Sequence, residues 1–182
     1  MRPSTHRRRS EDLKPKYTTK AAKNTFESGD KFAEFAASKL NPFGITTWTF
    51  GSHHQQFAIG ENGQGVEYKL DNRCTDTNRL SIEIAEKTDA GNLDWIPSGI
   101  MRNDNAWLYV QGNYEIIFVF SKKWLRRVYR KVMRDNPSDV QDWPPSPEST
   151  VRRFFLKFKT AHAGAALVID ASTGKRWSGD EV

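Results

Sequence analysis

Cysteine occurs once in the 182 residues, as Cys74. An internal disulfide is therefore excluded, and the usage suits a reducing, cytoplasmic setting. Long apolar runs are also missing. The longest clean one, residues 116–120, has the length of a strand and falls far short of the roughly eighteen residues a spanning helix needs. No membrane partner is expected. The N-terminal stretch is basic but is not followed by an apolar h-region, so it does not read as a secretory signal. Acids are in the minority, with 22 Asp and Glu against 28 Lys and Arg, which gives a formal charge of +6. That excess suits a polyanionic partner. Nucleophile elbow, phosphate-binding glycine loop and dinucleotide fingerprint are all absent. His53, His54 and Cys74 lack any zinc-ligand spacing, and no internal repeat is evident.

What is present is enough apolar material for one core: 37% hydrophobic residues, including six Trp. Residues 1–24 are polar and carry Arg7, Arg8 and Arg9, and read as a flexible basic arm. Over residues 25–40, Phe32, Phe35, Ala36 and Leu40 recur at helical spacing, with Ser28 or Asp30 as cap and Asn41-Pro42 as stop. Short strands are predicted at 46–50, 55–59, 107–110 and 114–120. Ser121 is a candidate cap for a helix whose apolar stripe is Trp124, Leu125, Val128, Tyr129, Val132 and Met133. Residues 135–150 hold four of the eight prolines and read as a linker or loop, and residues 151–182 as C-terminal strands over 154–159 and 165–170 packing on a core of 25–134.

The chemistry-bearing pattern lies in the middle. Residues 66–71 alternate, with Val66, Tyr68 and Leu70 on one face and Glu67, Lys69 and Asp71 on the other. Residues 80–85 alternate as well, placing Glu83 beside Ser81 and Ala85. If the two segments form an antiparallel hairpin with Asp71 opposite Glu83, then Lys69 faces Ala85 and Glu67 faces Lys87. Acids and an amine would then share one face. Such a cluster is costly without a cation, and carboxylates holding Mg²⁺ beside a lysine provide what phosphodiester hydrolysis needs.

In order along the chain, Val66-Glu67-Tyr68-Lys69-Leu70-Asp71, Thr77-Asn78, Ser81-Ile82-Glu83, Pro97-Ser98-Gly99-Ile100 and Asp104 to Trp107 resemble the small phage-type members of the PD-(D/E)XK nuclease superfamily. The likeness spans roughly residues 25–130. It implies an α/β (α+β) fold, a restriction-endonuclease-like mixed central sheet flanked by helices. It implies a Mg²⁺- or Mn²⁺-dependent DNA endonuclease, intracellular and of phage type, for which a homodimer is allowed. Glu67-Tyr68-Lys69 matches the Glu-x-Lys element, and Asp71 and Glu83 match recurring acids. The catalytic candidates are thus Glu67, Lys69, Asp71 and Glu83, with Glu67, Asp71, Glu83 and the first-helix Glu34 as metal ligands. No Pro-Asp precedes the element, and Glu61 is the sole acid between Gly51 and Glu67. A second alignment therefore stays open, in which Asp71 is the first carboxylate, Glu83-Ile84-Ala85 the second element, and Lys69 the substitute amine.

Phosphate-tracking candidates are Lys122, Lys123, Arg126, Arg127 and Arg130 on the basic helix face, and Ser98 and Gly99 in a loop open to close approach. Each feature has a plainer reading: a solvated helix face, a turn, or a strand with cross-strand ion pairs. A catalytically inactive nucleic-acid-binding or virion-associated protein on the same fold is the competing class, and a partner-binding structural protein the third.

Overall fold

The computed structural model describes residues 20–47, 63–143 and 149–177. The expected basic arm up to Thr19, residues 48–50 of the strand expected at 46–50, and the strand expected at 55–59 lie outside the described residues, while residues 46 and 47 form no strand. The first helix, α1, is Lys20–Leu40, so it begins before residue 25, and Ser28 and Asp30 fall inside it rather than capping it. Asn41–Phe43 then forms a 3₁₀ turn closed by Gly44 in the left-handed region, φ 78°, as Asn41-Pro42 led one to expect.

A five-stranded sheet follows the order β1-β4-β5-β8-β9, with β1 Val66–Leu70, β4 Leu108–Gly112, β5 Ile116–Ser121, β8 Leu167–Asp170 and β9 Lys175–Arg176. β1 and β4 are parallel, and the remaining pairs antiparallel. A four-stranded antiparallel sheet follows the order β3-β2-β7-β6, with β2 Arg79–Glu86, β3 Ile96–Pro97, β6 Val140–Trp143 and β7 Val151–Lys157. The fold is therefore mixed α and β. Strand β6 and the 3₁₀ turn Pro137–Asp139 lie in what sequence marks as a linker.

Each sheet face has a reason. Val66, Tyr68 and Leu70 of β1 join Val110, Ile117, Val119 and Ile169 against Phe32, Ala36 and Leu40 of α1. The opposite face sends Tyr109, Phe118 and Phe120 into a second core with Leu80, Ile82, Ile84, Phe154 and Leu156 of the four-stranded sheet. Strands β4 and β5 are covered on both sides, which is why they read as continuous apolar runs. Leu125 of α3, Lys122–Asp135, is buried in the second core, and Trp124, Val128, Tyr129 and Val132 lean on it as their spacing predicts. Met133 instead stays exposed, and Ser121 makes no side-chain cap bond. The helix α4, Phe158–Gly164, occupies part of a segment expected to be strand.

The expected hairpin does not form. Between β1 and β2 the chain makes one helical turn, α2 Cys74–Thr77, and leaves it through Asn78 in the left-handed region, φ 51°. β1 pairs in parallel with β4, which requires a long crossover, and residues 71–107 supply it. β2 travels within that crossover to the second sheet. Asp71 is therefore not opposite Glu83, nor Lys69 opposite Ala85, nor Glu67 opposite Lys87: Glu83 pairs with Arg153 and Ala85 with Arg152.

Candidate active site between the sheets

Although the strands do not pair, their polar faces meet. Glu67 and Lys69 alternate onto the inner side of β1, and Ser81 and Glu83 onto the side of β2 away from Leu80, Ile82 and Ile84. The ammonium of Lys69 lies 3.3 Å from Glu67 Oε1 and 3.6 Å from Glu83 Oε2. One cation thus joins carboxylates from strands of two different sheets. Around it is a cavity of about 270 Å³ lined by Lys69, Asp71, Ser81, Glu83, Gln111 and Arg153 among others, with Arg73 and Arg79 exposed at its rim.

The three acids have different surroundings. Asp71 Oδ2 accepts from the Ser81 amide at 2.8 Å and from Gln111 Nε2 at 3.2 Å. Burial nonetheless pushes its carboxyl above the ordinary value, because those bonds and nearby Arg153 only partly offset the loss of water. For Glu83, burial acts upward too, but Lys69, the Ser98 hydroxyl, Arg102 and Arg153 outweigh it and hold the carboxyl below the ordinary value. Two ionisable acids at one cavity, shifted in opposite directions, are the kind of pair that active sites contain. Glu67 is different again. It is fully buried and does not line the cavity. Lys122 Nζ sits 3.2 Å from its Oε2 and 2.7 Å from Asp104 Oδ1, and neither Glu67 oxygen makes a hydrogen bond of good geometry. Glu67 is held by charge, behind Lys69.

Ser98 and Gly99 were expected to face DNA, but both are buried. The Ser98 hydroxyl donates to Glu83 Oε1 at 2.5 Å, and its amide to the Ile84 carbonyl at 3.2 Å. Gly99, at φ 49°, approaches so closely that a Cβ there would stand 2.4 Å from the Glu83 carbonyl oxygen. The Pro-Ser-Gly-Ile element positions an acid rather than touching a ligand. Of the expected basic face, Lys122 is internal for the reason just given, and Arg126 donates to the carbonyls of Ile100 and Arg102. Lys123, Arg127 and Arg130 do remain exposed. Glu34 is exposed on α1 and is not part of the cavity lining.

Sequence reasoning overlooked Arg153, Gln111 and Asp104 as partners of the acids. Arg153 donates to Ser81 Oγ at 2.8 Å, opposite Glu83. The alternation of Arg153, Phe155 and Lys157 with Phe154 and Leu156 was the available signal. Gln111 left no such trace in an otherwise apolar strand.

Carboxylate and amide oxygens are the donors hard divalent cations prefer, and the buried Gln111 Oε1 has no hydrogen-bond partner. Among the described residues no three His, Cys, Asp or Glu form a metal-holding group. Mg²⁺, however, is commonly held by one or two carboxylates with water and substrate oxygens completing the shell, and Asp71 and Glu83 are the two carboxylates of the cavity lining. Among the described residues no helix is long and apolar enough to cross a membrane. Comparison of the chain with protein-family models, curated proteins and solved structures finds no match.

Proposed function

We propose that this protein is a Mg²⁺-dependent endonuclease that hydrolyses phosphodiester bonds in DNA. The observation that carries the reading is that Lys69 lies between acids of two different sheets, at a cavity whose lining holds four cationic side chains and two carboxylates. Asp71 and Glu83 would hold the ion, the assignment in which Asp71 is the first carboxylate and Lys69 the substitute amine. When bound, the ion offsets phosphoryl charge and makes water nucleophilic near neutral pH. Lys69 presents its Nζ to the cavity, oriented from behind by Glu67, where it orients the attacking water and offsets charge on a phosphate oxygen. Arg153 adds a second fixed positive charge beside Glu83.

The competing reading, a nucleic-acid-binding protein without catalysis, draws on the same ion pairs. Lys69 and Lys122 already neutralise Glu67, and Lys69 also reaches Glu83, so the acids are partnered without any metal. Incubating purified protein with plasmid, linear and branched DNA in Mg²⁺ or in EDTA separates the two. Metal-dependent cutting that falls about 10²–10⁴-fold in Lys69→Met supports the nuclease. Salt-sensitive binding with no cutting in either buffer supports the alternative.

A further inference from the structure

We propose that the DNA backbone leaves the cavity along a cationic groove running over Arg79 to Lys157 and Lys159, and not along the basic face of α3. The inference rests on the nuclease reading for its choice of ligand. The cavity and a neighbouring depression share Thr77 and Arg79, and the second is completed by Asn78, Lys157, Phe158 and Lys159. The exposed α3 residues Lys123, Arg127 and Arg130 line neither.

Two further observations indicate an anion. Arg79 and Lys157 stand directly opposite each other in the β2–β7 ladder. Like charges in that position are destabilising to each other. Arg79, Lys157 and Lys159 are exposed, as is Arg73 at the rim, and none of the four forms an ion pair among the described residues. Arg102, Arg134, Arg152 and Lys122, by contrast, each meet a carboxylate. The Arg79 guanidinium is fixed 4.1 Å above the Phe155 ring, which positions the charge without neutralising it. From Glu83 to Arg79 the strand advances roughly 13 Å, enough for several successive phosphates, with the acids at one end and the unpaired cations at the other.

The test is anisotropy of a labelled 30-base-pair duplex, titrated in EDTA at several salt concentrations. For Lys157→Ala combined with Lys159→Ala, the slope of log K against log salt should become shallower by about two, and affinity at low salt should fall tenfold or more. Lys175→Ala combined with Arg176→Ala, an exposed basic pair on β9, should leave the slope unchanged. A groove variant with wild-type slope and affinity overturns the proposal. So does an equal loss in the β9 variant, since binding would then follow net charge alone. Because no divalent ion is present, a wild-type protein that never cuts DNA would sink the nuclease reading while leaving this result standing. Both variants alter exposed side chains, and unchanged melting temperatures exclude misfolding as the cause.

Discussion

Replacing Lys122 by Met tests whether the inner charge cluster is as dry as its geometry indicates. Lys122 is 2% exposed, and its partners Glu67 and Asp104 are 0% and 5% exposed. Methionine keeps most of the stem but removes the ammonium, leaving the Asp104 carboxylate without that cation and Glu67 with Lys69 alone of its two. Breaking a buried pair by deleting one member typically costs about 3–5 kcal/mol, far more than a surface pair contributes. At this chain length that corresponds to roughly 6–20 °C in Tm. Lys123→Met, one residue along and exposed, should stay within about 0.5 kcal/mol of wild type. Adding Glu67→Gln and Asp104→Asn to Lys122→Met should recover much of the loss, because neutral groups carry a far smaller desolvation penalty. Urea unfolding with the m-value checked is the assay. A Lys122→Met protein as stable as Lys123→Met would refute the buried triad, and with it the positioning of Lys69 by Glu67.

Further expectations concern the acids, their support and the thiol. Asp71, with its carboxyl raised in the fold, contributes stability at low pH that is lost as pH rises from the ordinary carboxylate value through its folded value, so Asp71→Asn should gain on wild type as pH rises above the ordinary carboxylate range, while losing activity. Glu83 has the opposite sign: its stabilisation is present above the ordinary carboxylate range and lost as pH falls through its depressed value, so Glu83→Gln should be less stable at neutral pH and converge on wild type in acid. Thermal melts across pH check both, and parallel curves would contradict them. Gly99→Ala should cost more than about 2 kcal/mol and impair cleavage, since the left-handed backbone disfavours a Cβ and the Glu83 backbone occupies its place. A neutral substitution there, read by denaturant unfolding, would contradict the close approach. Burial and then Asp71 push the Cys74 thiol up to about 12, so iodoacetamide at mildly alkaline pH should label it only in denaturant.

Much of this architecture was legible in local pattern. The period of α1 and α3 identified their buried stripes, and the alternation of β1 gave the correct inner and outer faces. Glu67, Lys69 and Glu83 do come together, and Asp71 and Glu83 share a cavity. Alternation, however, specifies a strand's faces and not its partners. β2 pairs with β7, and the Arg153 to Ser81 hydrogen bond spans 72 positions, a separation no local signal reports. The same limit misplaced Lys122. Helical spacing groups it with Lys123 and Arg126, but at the junction of β5 and α3 it turns inward, where Asp104 and Glu67 await it. Ser98 and Gly99 read from sequence as a loop open to DNA, and only the tertiary packing against Glu83 shows that they are buried and position that acid instead.

The central claim is that Asp71 and Glu83, which line one cavity, capture a divalent ion beside Lys69. Electron paramagnetic resonance of Mn²⁺ titrated into protein bound to uncleavable phosphorothioate DNA addresses it most directly. The account expects bound Mn²⁺ with wild type and its loss in both Asp71→Asn and Glu83→Gln. Equal Mn²⁺ uptake by all three proteins, or none by wild type, would contradict it.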